Sequence, residues 1–195
     1  MARQQKKKGS SRGELRIIGG DFRGRKLPVL EAEGLRPTSD RVRETLFNWL
    51  QFDIPGAICL DVFSGSGALA FEAMSRGAKH VTMLELNAAN AKQLQENCRS
   101  LKCSNVDVLQ CDSLEWLKKP TSRPFDIVFL DPPFHKEMMQ QTLDYLFANG
   151  YLHDNSQLYL EQENSLDWPE LEDGWVLKKE KKTSQVKFGL CLKAR

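Results

Sequence analysis

Residues Leu60 to Ala73 read LDVFSGSGALAFEA. An apolar run, Ala57 to Phe63, meets two closely spaced glycines, Gly65 and Gly67, and then an alanine-rich stretch to Ser75 with Gly77 as its stop. That is the pattern of a buried strand curling tightly into a helix. Glycine at such a junction lets the backbone turn and lets a ligand approach it closely.

The same alternation continues downstream. Val81 to Leu86 is predicted to be a second strand, and Asn87 to cap a helix reaching about Leu101. Val106 to Gln110 reads as a third strand and Ser113 to Lys118 as a short helix stopped by Pro120. Phe125 to Leu130 is the fourth strand, Glu137 to Ala148 a helix, and Leu158 to Glu161 the fifth strand. Strands alternating with helices predict an α/β fold with a mostly parallel, doubly wound sheet. Trp175 to Lys179 and Val186 to Leu192 have no helix between them, so they are expected to pair as an antiparallel C-terminal hairpin at one edge.

Upstream, ELRIIGGDFRGRKLPV reads as a β-hairpin turning at Gly19-Gly20-Asp21. Thr38, Ser39 or Asp40 can cap a helix through Phe52, with Val42, Leu46, Trp49 and Leu50 as its apolar stripe. Three segments result: a disordered basic tail over 1–13, a hairpin and helix extension over 14–52, and the main domain over 53–195.

In doubly wound sheets ligands sit beyond the carboxyl ends of the strands. Four predicted strands end there in an acid: Asp61, Glu85, Asp112 and Asp131. Gly65-x-Gly67-x-x-Ala70 matches a dinucleotide fingerprint, with Glu85 at about the spacing of a ribose contact, so the glycine loop alone leaves several adenosine-bearing cofactors open. Asp61 narrows them. A carboxylate there repels a pyrophosphate but suits the ammonium group of S-adenosylmethionine. Asp112 can meet an adenine amine and the Ser113 amide a ring nitrogen, although Asp112 is also a good helix cap.

The fourth strand ends in FLDPPF, residues 129–134. Pro132 holds Asp131 extended, and Pro132 and Pro133 fix φ and remove two amide donors. What remains is a set of acceptors beside the flat face of Phe134. Such a set fits an amino group on a planar ring. Accepting its N–H hydrogens favours a pyramidal nitrogen and aims the lone pair at an electrophile, while Phe134 stacks on the ring.

Together, RIIGGDFRGRKLPV, RPTSDRVRETLFNWL, DVFSGSGALAFEA and FLDPPF resemble the RsmD family, bacterial methyltransferases of guanine N2 in 16S ribosomal RNA of the small subunit. The resemblance spans roughly residues 14–192. It implies a Rossmann-like class I methyltransferase with a seven-stranded sheet. It further implies that Asp61, Phe63, Gly65, Gly67, Glu85, Asp112 and Ser113 bind S-adenosylmethionine, that Arg36 and Thr38 fold over cofactor and catalytic turn, and that Asp131, Pro132, Pro133 and Phe134 hold the guanine amine. A substrate within an assembled or assembling 30S particle is expected. DNA adenine-N6 and protein glutamine methyltransferases use the same proline turn and are the alternatives.

Charge distribution agrees with a polyanionic partner. The chain carries 28 Lys and Arg against 26 Asp and Glu. Residues 1–26 hold nine of the basic residues, Lys6, Lys7, Lys8, Arg12, Arg16, Arg23, Arg25 and Lys26 among them, against Glu14 and Asp21 only. These eight are the expected RNA contacts. Arg41 and Arg43 read either as RNA or cofactor contacts or as helix-surface charges. The five cysteines form no CxxC pair, so neither a zinc site nor a disulfide framework is expected, and a reducing cytoplasm suits them. No apolar run is long enough to cross a bilayer. With no spare apolar patch, a monomer is expected.

Overall fold

The computed structural model describes residues 12–30, 38–133 and 138–194. Lys6, Lys7, Lys8, Arg36 and Phe134, and the side chain of Arg12, lie outside that set. Among the described residues no helix is long and apolar enough to cross a membrane.

The first strands, β1 (Arg12–Arg16) and β2 (Lys26–Leu30), form a two-stranded antiparallel sheet. Helix α1 (Asp40–Trp49) follows. Then come β3 (Ile58–Asp61), α2 (Ala68–Ser75), β4 (His80–Glu85), α3 (Ala88–Leu101), β5 (Val106–Gln110) and α4 (Ser113–Leu117). The chain continues through β6 (Phe125–Leu130), α5 (Met139–Ala148), β7 (Leu152–Glu163), β8 (Trp175–Lys182) and β9 (Val186–Lys193).

The large sheet has seven strands in the order β5-β4-β3-β6-β7-β9-β8. The five strands from β5 to β7 run parallel, and β9 and β8 close the edge antiparallel, as expected. Strand order reverses between β3 and β6, which opens a crevice at their carboxyl ends.

Side-chain parity divides the core. Along β6, Ile127 and Phe129 pack with α1, α2 and α3, whereas Val128 and Leu130 pack with α4 and α5. This is the period of two that a strand imposes. The caps follow the expected chemistry. Ser39 accepts from the Val42 amide, Asn87 from Ala89 and Asn90, and Asp112 from Leu114 and Glu115.

Several boundaries differ from the expectation, each for a pairing reason. β7 begins at Leu152 because Leu152 already pairs with Phe125, and it runs to Glu163 because that end pairs with β9. β8 continues to Lys182, since Lys182 pairs with Lys187 while its lysines face water on an edge strand. The N-terminal hairpin does not turn tightly at Gly19-Gly20-Asp21. Its strands are joined by the long loop 17–25, which docks on the last turn of α2.

That docking centres on Glu72, which is fully buried. Its carboxylate accepts from the amides of Ile18 (2.9 Å) and Gly19 (2.8 Å) and from Arg76 Nε (2.7 Å). Ser75 Oγ accepts from the Phe22 amide, and Ser75 O from the Asp21 amide. A Cβ on Gly20 would lie 1.8 Å from that Ser75 carbonyl, and its φ of +74° also requires glycine. Arg43 completes the node. It is 1 % exposed, sits 3.6 Å from Glu72 and donates to Arg16 O (3.0 Å) and Asp40 Oδ1 (2.6 Å). Arg43 is therefore a core cation that fastens hairpin, α1 and α2, and neither a surface charge nor a ligand contact. Arg41, two residues earlier, is exposed and lines the crevice.

Candidate active site

The crevice at the switch point opens into a cleft of about 1060 Å³. Four of the seven strands contribute a carboxylate to its wall, and the reason is register. Asp61 pairs laterally with Met83 on β4 and with Phe129 on β6. Glu85 and Asp131 each lie two residues further on. Strand parity therefore points all three side chains to the same face of the sheet, with Asp61 one pleat deeper, about 7 Å. Leu130 pairs with Leu160, so Asp131, just past the end of β6, and Glu161 on β7 follow neighbouring positions. From β4 to β7 the cleft is thus walled by Glu85, Asp61, Asp131 and Glu161 in spatial order, with Asp112 beyond the end of β5.

Asp61 is 2 % exposed. Burial, reinforced by the charge of Glu85, raises its carboxyl to about 7, against the pull of hydrogen bonds from Ser64 and the amides of Ala70 and Phe63. Glu85 is also raised by burial, while its two oxygens accept from the amides of Gly65 (2.8 Å) and Asn87 (2.7 Å). The glycine loop is thereby tied to β4. A carboxylate oxygen has two lone pairs, so Glu85 keeps capacity for further donors such as ribose hydroxyls. Gly67 begins α2 at φ +79°, where a Cβ would run into Phe71 and Leu94 at 2.5 and 2.7 Å. Phe63 and Ser113 also line the cleft, and the Ser113 hydroxyl donates to Val62 O, joining α4 to the loop after β3.

Asp131 is held well above the ordinary carboxylate range. Burial is the main cause and the neighbouring Glu161 charge the next, opposed by the Thr38 hydroxyl, which donates to Asp131 Oδ2 at 3.1 Å. Thr38 therefore meets the proline turn directly. Pro132 is buried and Pro133 exposed at the cleft wall.

A buried group that carries a negative charge at neutral pH is costly unless a cation or donor meets it. Two buried carboxylates and the half-buried Asp131, all with raised affinities for protons, make a site suited to a positively charged ligand with several donors. A nucleoside bearing an ammonium and a sulfonium group fits that donor set. A pyrophosphate does not. Among the described residues no three of His, Cys, Asp and Glu are placed to share a metal ion.

Glu161 is a site residue that the strand-end pattern could have revealed and did not. It follows the apolar run Leu158-Tyr159-Leu160 just as Asp131 follows Ile127 to Leu130. It is 5 % exposed, and Tyr159, also buried, donates its hydroxyl to Glu161 Oε2 at 2.6 Å. Because β7 runs on past it, no turn signal marks it as a strand end.

Two exposed basic groups differ in their relation to the cleft. Arg16, Arg23, Arg25 and Lys26 are exposed on the N-terminal hairpin, which docks near the carboxyl ends of α2 and α3. The cleft lies at the amino ends of those helices, so this set is not part of its lining. Lys26 pairs with Glu14 at 2.8 Å. A second group, Lys181 and Lys182 on β8, is exposed and lines the cleft together with Arg41.

Comparison with known proteins follows the same lines. Residues 15–191 match the family described as Conserved hypothetical protein 95. The chain is 51 % identical over 186 residues to the Haemophilus influenzae ribosomal RNA small subunit methyltransferase D, covering 93 % of this chain and 95 % of that protein. It is 45 % identical over 181 residues to the Escherichia coli protein of that name, covering 93 % and 91 %. The solved Escherichia coli chain yhhF superposes with a TM-score of 0.88 at 42 % identity, over 93 % of this chain and 99 % of that one. With the reversed strand order, the glycine loop and the proline turn all in place, this chain belongs to the RsmD family of class I S-adenosylmethionine-dependent methyltransferases.

Proposed function

We propose that the protein transfers a methyl group from S-adenosylmethionine to the exocyclic N2 amine of a guanine in small-subunit ribosomal RNA, on an assembled or assembling 30S particle. The observation that carries this is the row of strand-end carboxylates in one cleft, with Asp131-Pro132-Pro133 beside the cofactor half. The names of the relatives support ribosomal RNA as the substrate class.

In this reading Asp61 meets the ammonium group of the cofactor, Glu85 the ribose hydroxyls, and Asp112 with Ser113 the adenine. S-adenosylmethionine supplies a methyl group on a positively charged sulfur. The chain does the rest by position. Asp131 and the backbone carbonyls of the proline turn accept the amine hydrogens, so the nitrogen lone pair points into the cofactor half of the cleft. Thr38 keeps the Asp131 carboxylate oriented and favours its charged form. Transfer would form the N–C bond as the methyl–sulfur bond breaks, its electron pair staying on sulfur; the nitrogen would then be more acidic, and Asp131 is placed to take the departing proton. Phe134 is assigned the stacking role. RNA phosphates are met at the cleft mouth by Arg41, Lys181 and Lys182, and further out by the hairpin set Arg16, Arg23, Arg25 and Lys26 with Lys6, Lys7, Lys8 and Arg12.

The test is to incubate the protein with labelled S-adenosylmethionine and, separately, methyl-deficient small ribosomal subunits, stripped ribosomal RNA and duplex DNA, then to identify the modified residue. N2-methylguanine in ribosomal RNA is expected, with the particle preferred. Methylated adenine or glutamine as the product would overturn the substrate while keeping the chemistry.

A further inference from the structure

The proline turn explains how an amine is held but not how guanine is told from adenine, since both carry an exocyclic amine. The two bases differ at the ring nitrogen N1. Guanine donates there, immediately beside its N2 amine, whereas adenine accepts. A site that selects guanine needs a second acceptor adjacent to the first.

Glu161 is placed to be that acceptor. It follows Leu160, whose lateral partner Leu130 immediately precedes Asp131, so the two acids leave neighbouring strands, about 5 Å apart in the hydrogen-bonding direction, toward the same face of the sheet. Both residues line the cleft. Glu161 is 5 % exposed. The buried Tyr159 hydroxyl donates to its Oε2 at 2.6 Å, and Tyr159 is itself fixed between Phe129 and Phe188, with ring centroids 6.4 and 6.3 Å away. The carboxylate is thus oriented by a rigid donor, and a carboxylate oxygen can accept more than one bond. Its charge acts on Asp131. The pair forms one acidic edge of the cleft wall.

We propose that Asp131 and Glu161 form a composite subsite for the guanine edge, with Asp131 accepting from N2 and Glu161 from N1–H, so that Glu161 sets base specificity. This rests on the guanine-N2 reading above. Adenine would place its N1 lone pair against the Glu161 charge and be rejected.

The test uses a base that keeps the amine and reverses N1. 2,6-Diaminopurine carries the N2 amine of guanine but accepts at N1. Small subunits are reconstituted from ribosomal RNA ligated to contain either guanine or 2,6-diaminopurine at the position methylated in the native particle. The wild-type protein is expected to favour guanine by about 100-fold or more in kcat/KM. Glu161→Gln presents an amide that can donate to N1, and is expected to bring that preference below about tenfold. Its melting temperature and affinity for S-adenosylmethionine should stay close to wild type. Tyr159→Phe, which unties the carboxylate but leaves it present, should lower the preference without approaching the Glu161→Gln value. Wild-type protein that methylates both bases equally, or a Glu161→Gln protein that is folded, active on guanine and as selective as wild type, overturns the assignment while leaving the guanine-N2 reading intact. Wild-type protein that binds cofactor and leaves the guanine particle unmethylated overturns that reading, and the Glu161 role with it.

Discussion

Thr38 donates a hydrogen bond of 3.1 Å to Asp131, joining the segment that leads into α1 to the proline turn across 93 positions of sequence. The bond stabilises the charged form of a carboxylate that burial and Glu161 push toward protonation. Thr38→Val is therefore expected to lower kcat by about tenfold near neutral pH. It should move the acid limb of the rate profile to higher pH and change cofactor affinity little. A pH–rate series with parallel calorimetry checks this, and a matched loss of affinity would place Thr38 in the cofactor site instead.

Asp61 makes the ligand-free protein pH-sensitive in a defined sense. An unfolded Asp titrates near about 4, whereas burial and Glu85 hold folded Asp61 at about 7. The folded state binds the extra proton between those values, so the stability from this group is full below the unfolded value and is lost as pH rises through the folded one. Affinity for a cationic cofactor runs the opposite way, because the ligand prefers the ionised carboxylate. Calorimetry from about pH 5 to about pH 8 should show binding tighten by about tenfold or more. Asp61→Asn should flatten that rise and raise the melting temperature of the ligand-free protein at neutral pH.

Glu72 is the stability counterpart. It is fully buried and meets two backbone amides, Arg76 and Arg43. Glu72→Ala leaves those donors and a core arginine without their acceptor, and is expected to cost about 3–5 kcal/mol in urea unfolding. Glu72→Asp should recover part of that loss, since the charge remains while its reach shortens.

The lysines at the end of β8 carry a different prediction. Lysine on an edge strand also serves to block pairing with other sheets, so salt dependence is the readout that separates the roles. Replacing Lys181 and Lys182 by Ala should weaken RNA binding and reduce the slope of log affinity against log salt by about 1.5. An unchanged slope would leave them an edge-protecting role alone.

The order of strands and helices was legible because the central strands are apolar and three helices, α1, α3 and α4, are capped by the side chains of Ser39, Asn87 and Asp112; α2 and α5 start at Gly67 and Met138 without such a bond. Asp61, Glu85, Asp112 and Asp131 were legible as strand-end acids, and register brings them to one cleft. What escaped reading was non-local. Glu161 lies inside a strand lengthened by pairing with β9. Arg43 and Glu72 sit in helices where a charge ordinarily faces water, and only the approach of the 17–25 loop makes them a buried pair. Lys181 and Lys182 reach the cleft because the β8–β9 turn rises over it.

The docking of the N-terminal loop on Glu72 and Ser75 also sets an order of events during synthesis. Its bonds span 53 to 56 positions. Strands β1 and β2 therefore have no seat until α2 has emerged behind them. Their contacts are long-range, and long-range contacts close late. An enzyme of this build would expose the β1–β2 ribbon for several seconds of translation, at about 5–20 residues per second. The hairpin thus marks completion of the nascent half-domain: protease protection of residues 12–30 should appear only in chains long enough to include Arg76 outside the exit tunnel.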